Sequence, residues 1–143
     1  DNSSVYIGAN TTVEGGHFAS TEGKKISIGK DCMFSYDIEI RNGDSHGIFE
    51  LQSQNRINKA QNVSIGNHVW LSADVKVLKG SSIADNSIIG TGSIVVGAID
   101  DPNSIYVGSY YSEEEYKQGM KNYISTKWTS DDDDFYIYLL FYK

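Results

Sequence analysis

Proline is almost missing from this chain, with Pro102 alone among 143 residues. That scarcity excludes a proline-rich linker, and the 14 glycines follow no Gly-X-Y period, which excludes a collagen-like rod. Cysteine is just as scarce: with Cys32 alone, no intramolecular disulfide can form, and a reducing, cytoplasmic location is expected. Basic residues are outnumbered, 12 Lys and Arg against 19 Asp and Glu. A net charge of −7 argues against nucleic acid as a partner, because phosphates need a basic footprint. No apolar run approaches the ~18 residues of a spanning helix, so no membrane insertion is expected. No signal-peptide pattern opens the sequence; Asp1 leads directly into strand-like residues, and the natural start is expected upstream. What remains is one domain's worth of chain, rich in glycine and hence in expected tight turns.

The chain repeats itself. From Ile65 a large apolar residue recurs every six positions, at Leu71, Val77, Ile83, Ile89 and Val95. With apolar residues near half of a typical chain, such a run is roughly a one-in-a-hundred accident per frame. A second column of small or β-branched residues, Val69, Val75, Ser81, Ser87 and Ser93, follows each of the first five at a fixed offset. The same step appears upstream at Ile28, Phe34 and Ile40, with Cys32, Ile38 and Asp44 in the second column. An earlier pair, Ile7 and Val13, carries Thr11 and His17. A step of six matches neither the helical 3.6 nor long strand alternation. It fits a solenoid of short flat strands with turns at Ile28-Gly29, Ile65-Gly66 and Ile89-Gly90, whose inward columns fill a narrow core. Glycines every few residues disfavour helix at about 1 kcal/mol each. A β-sandwich would space its strands at ~8–12 residues.

Two stretches break the step. Ala19 to Lys25 is a polar turn between frames, and a longer interruption runs from His46 to Asn62. Six residues after Ile40 comes His46, where an inward aliphatic is due, so the chain is expected to leave the coil at that histidine and return at Val63-Ser64-Ile65. Long loops inside small domains are usually functional or disordered. Past Val96 the pattern fades into a closing strand near Asn103–Gly108. Ser112 and Glu115 form a capping box that predicts a helix to about Ile124. The acidic run Asp131–Asp134 lacks the alternating ligands and glycine of a calcium loop and reads as a solvated linker. The aromatic run Phe135–Tyr142 is expected to cover an end or edge of the solenoid or a neighbouring subunit. The resulting layout is a β-helix domain over 1–108, with its loop at 46–62, and a helix and tail over 109–143.

Of the three histidines, His17 falls in the small-residue column and reads as structural or oriented by a turn, and His68 lies in a turn facing solvent. His46 stands at the phase break, preceded by Asp44-Ser45. These hexapeptides, the Asp44-Ser45-His46 loop root and Ile65-Gly66-Asn67-His68-Val69-Trp70-Leu71 together resemble the hexapeptide-repeat O-acetyltransferases. That family includes galactoside, maltose, capsule, polysialic acid and lipopolysaccharide enzymes. The resemblance covers about residues 5–108. It implies a left-handed parallel β-helix, an exception to the right-handed crossover rule, assembled as a homotrimer, with acetyl-CoA as donor and a sugar or polysaccharide hydroxyl as acceptor. It implies His46 as general base, Trp70 beside the thioester and pantetheine arm, and donor contacts from Ala73, Thr91 and the pair Val96-Gly97. One departure stands out: where the family carries Asn-Pro-Ala-Lys, this chain has Gly108-Ser109-Tyr110-Tyr111-Ser112-Glu113. The basic residues expected near the CoA phosphates are thereby absent, leaving Lys117, Lys121 or Lys127 to substitute.

The chemistry is consistent with those residue types. A sugar hydroxyl is a poor nucleophile at neutral pH, and an imidazole with an ordinary pKa near ~6.5 can take its proton during attack. Asp44 could orient that imidazole or cap the turn. Cys32 sits in a core column, which argues against a covalent thiol route. A zinc site of the γ-carbonic anhydrase kind would need a close histidine pair, which the spacing of His17, His46 and His68 does not offer; no metal is expected. The alternative reading is a non-catalytic glycan-binding or scaffolding β-helix. Loop residues Phe49 to Arg56 and the neighbouring subunit are expected to choose the acceptor.

Overall fold

The computed structural model describes residues 2–111. The expected helix from Ser112, the acidic run, the aromatic run and the three substitute lysines lie outside the described residues. Fifteen short strands follow one another with no helix among the described residues. In chain order they are β1 Ser4–Ile7, β2 Thr12–Val13, β3 Gly16–Ala19, β4 Lys25–Ile28, β5 Met33–Phe34, β6 Ile38–Arg41, β7 Val63–Ile65 and β8 Trp70–Leu71. They continue as β9 Lys76–Val77, β10 Ser82–Ile83, β11 Ile88–Ile89, β12 Ile94–Val96, β13 Ala98–Ile99, β14 Ile105–Tyr106 and β15 Ser109–Tyr111. Every third strand stacks in parallel on the last, giving three five-stranded sheets: β1-β4-β7-β10-β13, β2-β5-β8-β11-β14 and β3-β6-β9-β12-β15. The molecule is a three-sided parallel β-helix. We call the sides faces A, B and C in that order.

The six-residue columns are the core. Ile65, Leu71, Val77, Ile83, Ile89 and Val95 are all buried, as are Val69, Val75, Ser81, Ser87 and Ser93 beside them. The strand registers stack like on like: Phe34 on Leu71 on Ile89, and Ile40 on Val77 on Val95. The serines replace valines without leaving orphaned hydroxyls, because Ser81, Ser87 and Ser93 donate to the carbonyls of Val95, Ala84 and Gly90.

Three details differ from the expectation drawn from spacing. The first is the frame of the opening coil. His17 pairs with Glu39, so Gly16 and Phe18 take the register of the inward Ile38 and Ile40, and His17 is exposed on face C. The corner between β2 and β3 holds two residues, Glu14-Gly15, where the next coil has three, Ser35-Tyr36-Asp37; one residue fewer flips every later side chain. The second is the work of the glycines. Gly29 and Gly66 do not have positive φ; they lie where successive coils touch, and a Cβ on Gly29 would meet the Gly66 carbonyl oxygen at 2.4 Å. The left-handed turn comes two residues later, at Asp31 and His68, in a corner column shared with Asn10, Asn86 and Asn103 at φ 53–60°. Short polar side chains and histidine tolerate that region best. The third is the loop's point of exit. The chain leaves the coil at Asn42-Gly43, not at His46, because Asn42 is buried and its carbonyl accepts the Gln61 N–H at 2.9 Å. Val63 then resumes the column, in register with Ile26.

Candidate functional site

The extruded segment is a small hairpin rooted at the edge between faces C and A. Ile57 N–H donates to the Ile48 carbonyl, Glu50 N–H to that of Asn55, and Phe49 pairs with Arg56 as an antiparallel bridge. Its root is tied to the solenoid twice. Lys79, just past β9, bonds the Asp44 carboxylate, and Arg56 pairs with Glu22, whose other oxygen accepts the Ala60 N–H at 3.1 Å. Asp44 is thus committed to Lys79 and to Asn58 among the described residues, and does not orient the imidazole of His46.

His46 itself is exposed, and its backbone is held on both sides. Ser45 before it sits at φ 66°, a left-handed conformation that a non-glycine residue keeps only where its surroundings impose it. Gly47 after it lies under the Phe49 ring, 2.6 Å from where a Cβ would stand. The buried Asn58 donates to the His46 carbonyl at 2.7 Å and to the Asp44 carboxylate at 2.9 Å. Its side-chain oxygen accepts from the Ile48 N–H at 2.7 Å and from Arg56 Nε at 3.2 Å. Nothing in the spacing marked Asn58, Glu22 or Lys79, and Arg56 was marked only as part of the acceptor-choosing stretch; their partners lie as far as 38 residues away in sequence.

Asp44 is held below the usual carboxylate range, first by the Lys79 ammonium against the opposing effect of burial, with Asn58 adding to it. Glu22 is lowered as well, first by the Ala60 N–H and then by Arg56. A carboxylate lowered in the folded state stabilises it above the unfolded pKa, and that contribution disappears as pH falls through the folded value. The clasp is therefore expected to hold at neutral pH and to open only below the ordinary carboxylate range. Amide hydrogen exchange at Ile48 and Ala60 should speed up there while the Leu71 amide stays protected. A uniform change across both sets would refute a local clasp.

The remaining sequence-predicted residues are spread around the coil. Trp70 points outward from face B, beside a groove of about 420 Å³ lined also by Met33, His68, Asn86 and Ile88. His68 is exposed in its corner, with Nδ1 3.0 Å from the Asn86 side-chain oxygen. Ala73 and Thr91 stack at the corner between faces B and C, where Gly92 N–H donates to the Ala73 carbonyl at 2.9 Å. Val96 lies on face C and lines a cavity of about 200 Å³ with Arg41, Asp44, Gln61, Leu78 and Lys79; Gly97 follows at φ 87°. The fold thus joins Ala73 to Thr91 and Val96 to the loop root. It sets Trp70 on face B, opposite the edge from which His46 emerges. The three histidines occupy three separate places, and among the described residues no group of three His, Cys, Asp or Glu side chains could hold a metal.

Comparison with known proteins places this geometry. No protein-family profile matches the chain. A polysialic acid O-acetyltransferase of Neisseria meningitidis is 51% identical over 77 residues, 54% of this chain and 36% of that protein. A polysialic acid O-acetyltransferase of Escherichia coli is 41% identical over 78 residues, 54% of this chain and 25% of that protein. The crystallographic structure of a polysialic acid O-acetyltransferase superposes with a TM-score of 0.74 at 36% identity, covering 85% of this chain and 64% of that one. The chain therefore spans between about a quarter and a little over a third of these two curated relatives. The shared fold is the left-handed β-helix of hexapeptide-repeat acetyltransferases.

Proposed function

We propose, from the premise that the chain belongs to the hexapeptide-repeat acetyltransferases, that it moves an acetyl group from acetyl-CoA to a hydroxyl of a sugar or cell-surface polysaccharide. The observation that carries this is His46: an exposed imidazole on a backbone pinned from both sides, at the root of the long loop of the described solenoid. In the reaction His46 takes the proton of the acceptor hydroxyl as its oxygen attacks the thioester carbonyl. The C–S bond then breaks, and the proton passes to the CoA thiolate. An N–H donor facing the tetrahedral oxyanion completes the chemistry. Cys32 supports direct transfer over an acyl-enzyme, since its thiol is buried and engaged with the Gly66 carbonyl at 3.3 Å. The lone buried thiol also suits a cytoplasmic setting.

The donor would lie along Trp70, Ala73, Thr91, Val96 and Gly97, residues that no single face of one chain gathers. We therefore propose a homotrimer in which His46 of one copy meets Trp70 of the next. Support comes from face B, where Met33, Trp70, Ile88 and Ile105 form an outward apolar row in continuous register and need cover. The test is CoA release by the full-length protein from acetyl-CoA, with polysialic acid and neutral sugars as acceptors, on material sized by sedimentation. Acceptor-dependent release from a trimer is expected. No release together with no calorimetric affinity for acetyl-CoA would establish the non-catalytic glycan-binding or scaffolding module instead.

A further inference from the structure

We propose that Asn58 is the positioning residue of this site, acting through His46, an inference that rests on His46 being the base. Its carboxamide has two donor hydrogens and two acceptor lone pairs, and all four are used within the loop. The nitrogen donates to the Asp44 carboxylate and the His46 carbonyl, and the oxygen accepts from the Ile48 N–H and Arg56 Nε. Three of these partners, Asp44, His46 and Ile48, lie two residues before His46, at it, and two residues after it. One side chain therefore spans the stretch that carries the base, on the opposite strand of the hairpin. Asn58 is only 7% exposed while His46 is open to solvent, so it supports the base from behind and leaves the imidazole free.

The support continues into the solenoid. Asp44 is fixed by Lys79, and Arg56 by Glu22, so the carboxamide joins both anchors to the loop backbone. The neighbouring strain fits this role. Ser45 at φ 66° and the close approach at Gly47 leave the His46 backbone one narrow placement, which the two bonds of Asn58 to residues 46 and 48 select. A purely structural asparagine would be needed for the loop's order alone. A positioning residue should matter to the rate in proportion to what His46 does.

Asn58→Asp keeps size and acceptor oxygens but removes both donor hydrogens, and sets a carboxylate against the Asp44 carboxylate and the His46 carbonyl. Displacing a reacting group by about an ångström costs on the order of 100-fold. The full-length variant is expected to lose about 10–100-fold in kcat, with the KM for acetyl-CoA and the sedimentation unchanged. The decisive measurement is the cycle with His46→Ala, using acetyl-CoA and polysialic acid. On the already slow His46→Ala background, Asn58→Asp should change the residual rate little, because there is no base left to misplace. Asn58→Ala, which removes the four bonds without adding a charge, should give the same pattern and covers the case in which the aspartate variant fails to fold. Equal losses in both backgrounds, or a wild-type kcat in both Asn58 variants, would overturn the positioning role while His46→Ala remained slow. A wild-type rate in His46→Ala would instead overturn the base itself.

Discussion

His46→Ala is expected to slow acetyl transfer by about 10²–10⁴-fold, the usual contribution of a general base. The loss should appear in kcat, because the imidazole contributes to binding neither through the core nor through the loop clasp. The clasp holds the histidine by its backbone carbonyl and by the flanking Asp44 and Ile48, all of which an alanine retains. The variant should therefore stay folded, assembled and able to bind acetyl-CoA. A histidine that served structure alone would behave in the opposite way, with lower stability and an unchanged rate per folded molecule. Steady-state transfer to polysialic acid, read beside acetyl-CoA affinity, separates the two. Transfer at the wild-type rate would return attention to His17 and His68.

Phe34→Ala is expected to cost about 3–5 kcal/mol of folding stability. Phe34 heads the largest fully buried side chains, at 1% exposure, and lies in register between Val13 and Leu71 in the stack of face B. Each coil gives the core one layer of inward side chains from its three faces, so neighbouring coils held by their own backbone ladders have little room to close over the void. Against a typical total of about 5–15 kcal/mol, that loss is large. Urea unfolding at fixed protein concentration should show it as a lower midpoint with little change of slope. A loss below about 1 kcal/mol would mean that the columns relax far more freely than a close-packed core does.

The step of six determined, from sequence alone, the inward residues from Ile28 to Ile40 and from Ile65 to Val95, but not Asp44, which the loop carries out of its column. An inward position in a narrow coil admits an apolar or small side chain and little else, so the columns Ile65–Val95 and Val69–Ser93 could be read directly and are buried. The same periodicity located the loop by its break at His46, six residues after Ile40, and that placement singled out the histidine, although the chain leaves the coil four residues earlier. Other features required the folded chain. The one-residue shortening at Glu14-Gly15 turned His17 outward, because strand alternation reverses with each residue lost and the spacing from Val13 does not register it. Gly29 proved to be a place of close approach between coils, a contact made by Gly66, 37 residues later, and not by its own neighbours. The exit at Asn42, the anchors Lys79 and Glu22, and the hub at Asn58 are hydrogen bonds across 10–38 residues of chain. Burial leaves a periodic trace because every coil repeats the same inward geometry. A hydrogen bond between two particular side chains occurs once, in one place, and leaves no period to read.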